Sequence, residues 1–200
     1  MNLSFTINLP SWLDAVYHIN ANQQFPAPEE KMRFVIDLAR RNIQEKTGGP
    51  FGAAIFNENT HSLVAPGINV VVSQQLSIAH AETIATILAQ KKLGTFDLAR
   101  DPKQKFSLYS SGQPCVMCFG VTWWSGITKL VSAARSEDIE NITGFKEGPL
   151  PEGWIDLLKN REGLPDLEVV RDVLREEACE VLKMYATSGQ PVYNAGSTRK

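Results

Sequence analysis

Cysteine is scarce in this chain, which has three cysteines in 200 residues. Three cysteines cannot all pair within one chain, and Cys115 and Cys118 are only three positions apart, so the sequence does not indicate a disulfide framework. No apolar run reaches the ~20 residues of a membrane span, and residues 1–20 lack a basic start followed by an apolar stretch. We therefore expect a soluble, cytoplasmic protein with no membrane partner.

An excess of positive charge is also missing. The chain has 20 Lys and Arg against 22 Asp and Glu, a formal net charge of −2, and a pI near 5.9. Proteins that hold nucleic acid through its phosphates usually carry a basic excess. The basic residues here are scattered, with only short pairs such as Arg40-Arg41 and Lys91-Lys92. We expect a small, weakly charged substrate and no nucleic-acid partner.

The hydrophobic pattern predicts an α/β domain. We treat residues 1–160 as one unit and residues 161–200 as a C-terminal extension, because repeats and low-complexity linkers are absent. The apolar spacing of three and four indicates helices, and turn clusters separate apolar runs of strand type. Strands separated by helices favour parallel pairing, whereas the opening hairpin is antiparallel. The pattern predicts helices from Trp12 and over 28–47, strands at 51–56 and 62–72, a helix at 80–93, a strand at 106–110, a helix at 114–125 and a strand at 127–133.

The remaining signals are weaker. Ser11 and Ser136 are predicted helix caps, and residues 143–153 read as an irregular loop rich in Pro and Gly. The C-terminal extension predicts a strand at 167–170 and a helix at 172–186. The whole arrangement corresponds to a mixed sheet of about five strands between helices on both faces.

Two short segments carry the residues of a metal site. His80 and Glu82 stand at the start of one predicted helix, and Cys115 and Cys118 at the start of another. Residues three apart on a helix share a face, so both cysteines can bind one Zn²⁺ with His80 from the neighbouring helix. Three protein ligands leave a fourth position for water or hydroxide. Glu82, two residues after His80, is then the proton carrier, and the N–H groups of Ala81 and Cys115 can orient substrate or hydroxide.

Three other roles explain these residues less well. A purely structural zinc site needs a fourth protein ligand, and Cys179, His61 and His18 have no suggestive spacing. A redox dithiol explains neither His80 nor Glu82, and a non-catalytic, zinc-stabilised binding module has no use for Glu82 or an open coordination position.

The combination of His-x-Glu with Pro-Cys-x-x-Cys is the signature of zinc deaminases. The chain resembles the cytidine deaminase-like zinc hydrolases over about residues 40–148. More narrowly it is similar to the small bacterial guanine deaminases, through Gly-Gly-Pro-Phe-Gly-Ala at residues 48–53. Gln113 and Val116 depart from the family, which commonly has Glu and Pro there. Lys146-Glu147 stands where those enzymes have an acidic residue, usually Asp, after Gly-Phe.

The resemblance implies a three-layer α-β-α fold, one Zn²⁺ per subunit and hydrolysis of guanine to xanthine and ammonia. It implies a homodimer whose C-terminal segment crosses to the partner subunit and closes its site. The site residues implied are Asn69 for the purine edge, Phe51, Trp124 and Phe145 around the ring, Glu147 as second acid and Tyr193 from the tail. Without the resemblance, the two phenylalanines and the tryptophan are equally well explained by core packing, and Asn69 can be a strand-end turn residue. The loop composition around Glu147, taken alone, favours a carboxyl that faces solvent.

These residues are also compatible with the activities of related deaminases. A tRNA adenosine deaminase has almost the same zinc motif but needs an electropositive surface. Cytidine, cytosine or deoxycytidylate deamination is a further alternative, and other amino-substituted rings such as triazines are not separated by sequence.

Overall fold

A five-stranded mixed sheet forms the middle layer of the structure, a computed structural model that describes residues 4–194 and 196. The strands are β1 at Gly52–Asn57, β2 at Ser62–Ile68, β3 at Phe106–Gly112, β4 at Lys129–Ala134 and β5 at Glu168–Val170. Their order across the sheet is β2-β1-β3-β4-β5. β1 is antiparallel to both of its neighbours, β2 and β3, whereas β3, β4 and β5 are parallel.

Helices cover both faces of the sheet. They span Ser11–Asn20 (α1), Pro28–Gln44 (α2), Val71–Gln74 (α3), Ala81–Leu93 (α4), Val116–Trp124 (α5), Ser136–Thr143 (α6), Trp154–Lys159 (α7) and Arg175–Ala186 (α8). α2, α6 and α8 contribute to one hydrophobic core, and α4, α5 and α7 contact the other. The predicted three-layer α/β architecture is therefore confirmed.

Strand β1 shows how the sequence builds two cores. Successive side chains of a strand point to opposite faces. Ala53 and Ile55 accordingly enter the core below α4, whereas Ala54 and Phe56 enter the core below α2, and all four are fully buried. A strand covered on both faces reads as a continuous apolar run, as residues 52–56 do.

The C-terminal extension completes the sheet. β5 lies in residues 161–200 and pairs with β4 in parallel, with Val170 opposite Val131. Helix α8 then packs against α2, α6 and β4. Its buried residues Val181, Leu182 and Tyr185 belong to the same core as those of α2.

Three local predictions were wrong. The caps of α1 and α6 are Pro10 and Arg135, so Ser11 and Ser136 are the first helical residues instead. At α6 the N–H of Arg135 is satisfied by Asp138 Oδ2 at 2.9 Å, which makes a serine cap unnecessary. The strand predicted over 62–72 ends at Ile68, because Asn69 Oδ1 accepts the N–H of Val71 at 3.3 Å and turns the chain into α3.

None of the helices within residues 4–194 and 196 combines the length and apolar character needed to cross a bilayer.

Candidate active site

The predicted metal ligands converge between two helix starts. His80 is the N-cap residue of α4, Cys115 is the N-cap residue of α5, and Cys118 lies in the first turn of α5. His80 Nδ1 lies 3.6 Å from Cys115 Sγ and 3.7 Å from Cys118 Sγ. All three ligand atoms lie within 4.8 Å of one another. Helix α5 follows β3, so the connection from the sheet carries both sulfur ligands to this position.

These distances fit a tetrahedral zinc ion. With Zn–S near 2.3 Å, Zn–N near 2.1 Å and tetrahedral angles, a nitrogen and a sulfur on one ion stand roughly 3.6 Å apart. The observed separations of 3.6 and 3.7 Å agree with that value. Two thiolates and one imidazole are a donor set that zinc favours, and three ligands leave a coordination position for substrate chemistry.

The two thiols differ in their surroundings. A hydrogen bond from Cys118, together with His80, lowers the pKa of Cys115 to about 4 although burial opposes the shift. The same hydrogen bond to Cys115 raises the pKa of Cys118, and burial and the charge of Glu82 act in the same direction. For His80, burial lowers the pKa, but the hydrogen bond with Cys115 and the charge of Glu82 raise it overall. A bound metal ion releases the remaining thiol proton.

Glu82 is a buried carboxyl beside the ligands. Its side chain is 6% exposed and accepts a hydrogen bond from Ser110 Oγ at 3.2 Å. Burial, and then the charge of Cys115, raises its pKa. A cation held by the three ligands would favour the carboxylate again. Glu82 therefore has the burial and the position of a group that exchanges protons inside a closed site.

Asn69 is held in place by the Gly-Gly-Pro-Phe segment. A side chain at Gly48 would place its Cβ 1.8 Å from the carbonyl oxygen of Asn69, so only glycine fits there. The Asn69 N–H donates to the Phe51 carbonyl at 3.1 Å, and Asn42 Nδ2 donates to the carbonyls of both Asn69 and Gly49 at 2.8 Å. These contacts fix the main chain and leave the Asn69 amide to face the tail.

An aromatic cluster lies next to this amide. Phe145 is buried, and its ring centroid lies 5.5 Å from that of Phe51 and 5.1 Å from that of Tyr193. The Tyr193 hydroxyl lies 2.7 Å from Asn69 Nδ2 and 3.0 Å from its Oδ1. The contact is within the one chain, so the tail reaches its own site in this structure.

Glu147 reaches the site from the loop after α6. Burial raises its pKa to about 8, and the charges of Cys115 and Glu82 add to the shift. Gly144, which ends α6 with a φ of 83°, turns the chain so that the loop runs back towards α5. The Val116 N–H then donates to the Glu147 carbonyl at 3.1 Å.

Of the other predicted substrate-binding residues, one is buried beside the site and one is exposed. Ala81 is fully buried at the start of α4. Trp124 is 78% exposed at the end of α5, so within one chain it does not close over a ring.

Among the described residues, His80, Cys115 and Cys118 form the one cluster of at least three metal-binding side chains. A fourth protein ligand, which a structural zinc site needs, is not supplied there by Cys179, His61 or His18.

Sequence reasoning missed several supporting residues. Ser110 is a buried serine of β3, and Asn42 stands within the buried stripe of α2, so each is a polar residue in a buried position. Such exceptions in a buried pattern are the signal that could have identified them. Glu140 and Asn194, which bind the loop of Glu147, had no local signal.

Comparison with known proteins agrees with this geometry. The cytidine and deoxycytidylate deaminase zinc-binding region matches residues 27–134, more than half of the chain. A solved structure of guanine deaminase from Nitrosomonas europaea is 44% identical, covers 93% of this chain and 98% of its own, and superposes with a TM-score of 0.85.

Two curated relatives are more distant. Guanine deaminase of Bacillus subtilis (strain 168) is 33% identical over 110 residues, which is 55% of this chain and 66% of that enzyme. A probable cytosine deaminase of Schizosaccharomyces pombe is 33% identical over 129 residues, which is 64% of this chain and 74% of that protein. The zinc-type ligand cluster, the buried carboxyl beside it and these matches lead to one conclusion: the chain belongs to the cytidine and deoxycytidylate deaminase family of zinc-dependent hydrolytic deaminases.

Proposed function

We propose that this protein hydrolyses guanine to xanthine and ammonia. The observation that carries the proposal is the Asn69 amide, which contacts the Tyr193 hydroxyl at the edge of the aromatic cluster of Phe51 and Phe145. An amide offers a donor and an acceptor to a purine edge, and aromatic walls suit a flat ring. The similarity to the Nitrosomonas guanine deaminase extends over 93% of the chain.

The chemistry requires a nucleophilic water and two proton transfers. A Zn²⁺ ion bound by His80, Cys115 and Cys118 would acidify a water molecule so that it attacks carbon near neutral pH. Glu82 takes a proton from this water while the water oxygen forms a bond to C2 of guanine. The electron pair of the C2–N3 double bond moves to N3, where Glu82 delivers the proton.

The second transfer releases ammonia. The bond from C2 to the amino nitrogen breaks with its electron pair on nitrogen, which receives a proton, and the hydroxyl oxygen on C2 loses its proton to become the xanthine carbonyl. Burial raises the pKa of Glu147, which makes it the second candidate donor besides Glu82. Glu82 is buried and Glu147 is partly buried, which limits the access of bulk water to these transfers.

Ammonia release across a panel of bases tests the proposal directly. Zinc-replete protein is offered guanine, adenine, cytosine, cytidine and guanosine, and we expect guanine to be turned over far faster than the others. Activity on a cytosine compound alone would refute the guanine assignment and retain a zinc deaminase. The tRNA alternative predicts strong retention on heparin, which a chain of net charge −2 is not expected to show.

Replacing Asn69 by alanine should weaken guanine binding. The variant removes the donor and acceptor that we assign to the purine edge, and a site built around such hydrogen bonds loses about tenfold or more in affinity for each pair lost. The measurement is the KM for guanine, with Asn59→Ala as the matched change on the exposed β1–β2 turn. An unchanged KM in Asn69→Ala would remove this residue from substrate recognition.

We further propose a homodimer that uses the outer face of α5. This helix has no charged residue, Val116 and Trp124 are 46% and 78% exposed, and a side chain added at Gly120 would meet nothing within 4 Å. An apolar helix face of this kind favours burial against a second copy. Light scattering should give twice the mass of one chain, and Trp124→Glu should shift it to the monomer. A monomeric native protein would contradict the proposal.

The sequence resemblance predicts that residues 161–200 are exchanged in this dimer, whereas the tail of the single chain closes its own site. Mixing Glu82→Ala chains with chains that end at residue 187 separates the two arrangements. Recovered activity supports exchange, because only an exchanged tail can complete the intact Glu82 site.

We also propose a reducing, cytoplasmic location, since Cys115 and Cys118 must remain thiolates to bind zinc.

A further inference from the structure

Glu147 lies on a loop whose main chain is held from several sides. The Val116 N–H, which directly follows the ligand Cys115, binds the Glu147 carbonyl at 3.1 Å. Asn194 Oδ1 accepts the Lys146 N–H at 2.9 Å, and Asn194 Nδ2 donates to the Gly144 carbonyl at 3.1 Å. The loop is therefore tied to both α5 and the tail.

Glu140 on α6 accepts further hydrogen bonds from this loop. Its Oε1 accepts the N–H of Glu147 at 3.3 Å, and its Oε2 accepts a hydrogen bond from Lys146 Nζ at 3.2 Å. The peptide groups on the two sides of Glu147 are thus held by a side chain on one helix and by the first N–H of another. The hydrogen bond from the Glu147 N–H, and after it the one from Lys146, lowers the pKa of Glu140, so Glu140 is ionised at neutral pH.

We infer that Glu140 is a positioning residue that sets the distance of the Glu147 carboxyl from the reacting base. The hydrogen bonds that its side chain makes among the described residues go to Lys146 and to the N–H of Glu147, so its effect passes through the main chain of Glu147. Proton donors lose effectiveness when they are misplaced by even 1 Å. This inference rests on the proposed function, in which Glu147 is the second proton carrier.

A set of variants separates the two bonds that Glu140 makes. Glu140→Ala removes both and should lower kcat about tenfold with little change in KM. Glu140→Gln keeps an acceptor oxygen for the Glu147 N–H and should recover most of the rate. Lys146→Ala removes only the ion pair, which is exposed, and should leave kcat within about twofold of the native value. Glu137→Ala is the matched control on the exposed face of the same helix.

A double-mutant cycle distinguishes positioning from general support of the fold. If Glu140 acts through Glu147, Glu140→Ala should cost nothing further in a Glu147→Ala background. A full tenfold loss in that background would overturn the inference, as would equal kcat values for Glu140→Ala and native protein. Zinc content and circular dichroism, unchanged in Glu140→Ala, show that the comparison is between folded proteins. If Glu140→Ala does not fold, the cycle is run with Glu140→Gln and Glu140→Asp, of which only the shorter Asp should lose rate.

Hydrogen exchange gives a readout that does not depend on the substrate. The amide of Glu147 should be protected in the native protein and should exchange faster in Glu140→Ala, but not in Lys146→Ala. If native protein releases no ammonia from guanine, the proposed function fails, and this measurement still tests the hold of Glu140 on Glu147. Equal exchange of the Glu147 amide in native protein and Glu140→Ala would overturn the inference.

Discussion

Replacing Glu82 by alanine is expected to abolish deamination while zinc stays bound. The carboxyl is not among the clustered ligand atoms, which come from His80, Cys115 and Cys118. Glu82 is buried, and in the proposed mechanism it takes and returns the proton of the attacking water. General acid–base catalysis is worth about 10²–10⁴ in rate, so kcat should fall by about a thousandfold. Ammonia release and zinc content, measured on the same preparation, check both halves of the prediction.

The isosteric change Glu82→Gln controls for packing. Glutamine fills the same space and can still accept the hydrogen bond of Ser110 Oγ, but it cannot carry the proton. Both variants should therefore be inactive with one zinc per chain. Near-normal turnover by Glu82→Gln would refute the role of Glu82, and loss of zinc from both would make Glu82 a part of the metal site instead.

The layers of the fold and the clustering of three metal-binding side chains were predictable because their signals are local. Alternating and three-and-four spacing of apolar residues decides which face of each strand or helix is buried. The ligands His80, Cys115 and Cys118 stand in short motifs at helix starts, so each motif already fixes much of its geometry. The structure brings these ligand atoms within 4.8 Å of one another, as the spacing predicts.

Contacts between distant parts of the chain were not predictable from such patterns. Asn69 and Tyr193 are 124 positions apart, and only the course of the tail over the folded domain brings them together. The family resemblance suggested Tyr193 as a residue that closes a site, but it gave no partner for its hydroxyl. The contact of Glu140 with Glu147 requires the chain reversal at Gly144, which the Pro- and Gly-rich composition of residues 143–153 indicates only as an irregular loop.

Replacing Cys118 by serine should remove the zinc ion and, with it, all activity. Cys118 is fully buried, and its Sγ lies 3.7 Å from His80 Nδ1, a separation that suits two ligands of one ion. A serine hydroxyl does not ionise near neutral pH and is a poor zinc ligand in comparison with a thiolate. We expect less than about a tenth of the native zinc content after dialysis, because two ligands hold the ion far more weakly than three.

The same change should alter stability in a zinc-dependent way. A ligand that binds only the folded state stabilises it by RT ln(1 + [L]/Kd), which is about 4 kcal/mol at a thousandfold excess over Kd. The Tm of native protein should therefore rise with added zinc, whereas that of Cys118→Ser should not. Cys179→Ser is the matched control, because Cys179 is a partly buried cysteine of α8 outside the ligand cluster. Retention of zinc by Cys118→Ser, with an undiminished zinc dependence of its Tm, would mean that the ion is held by other groups.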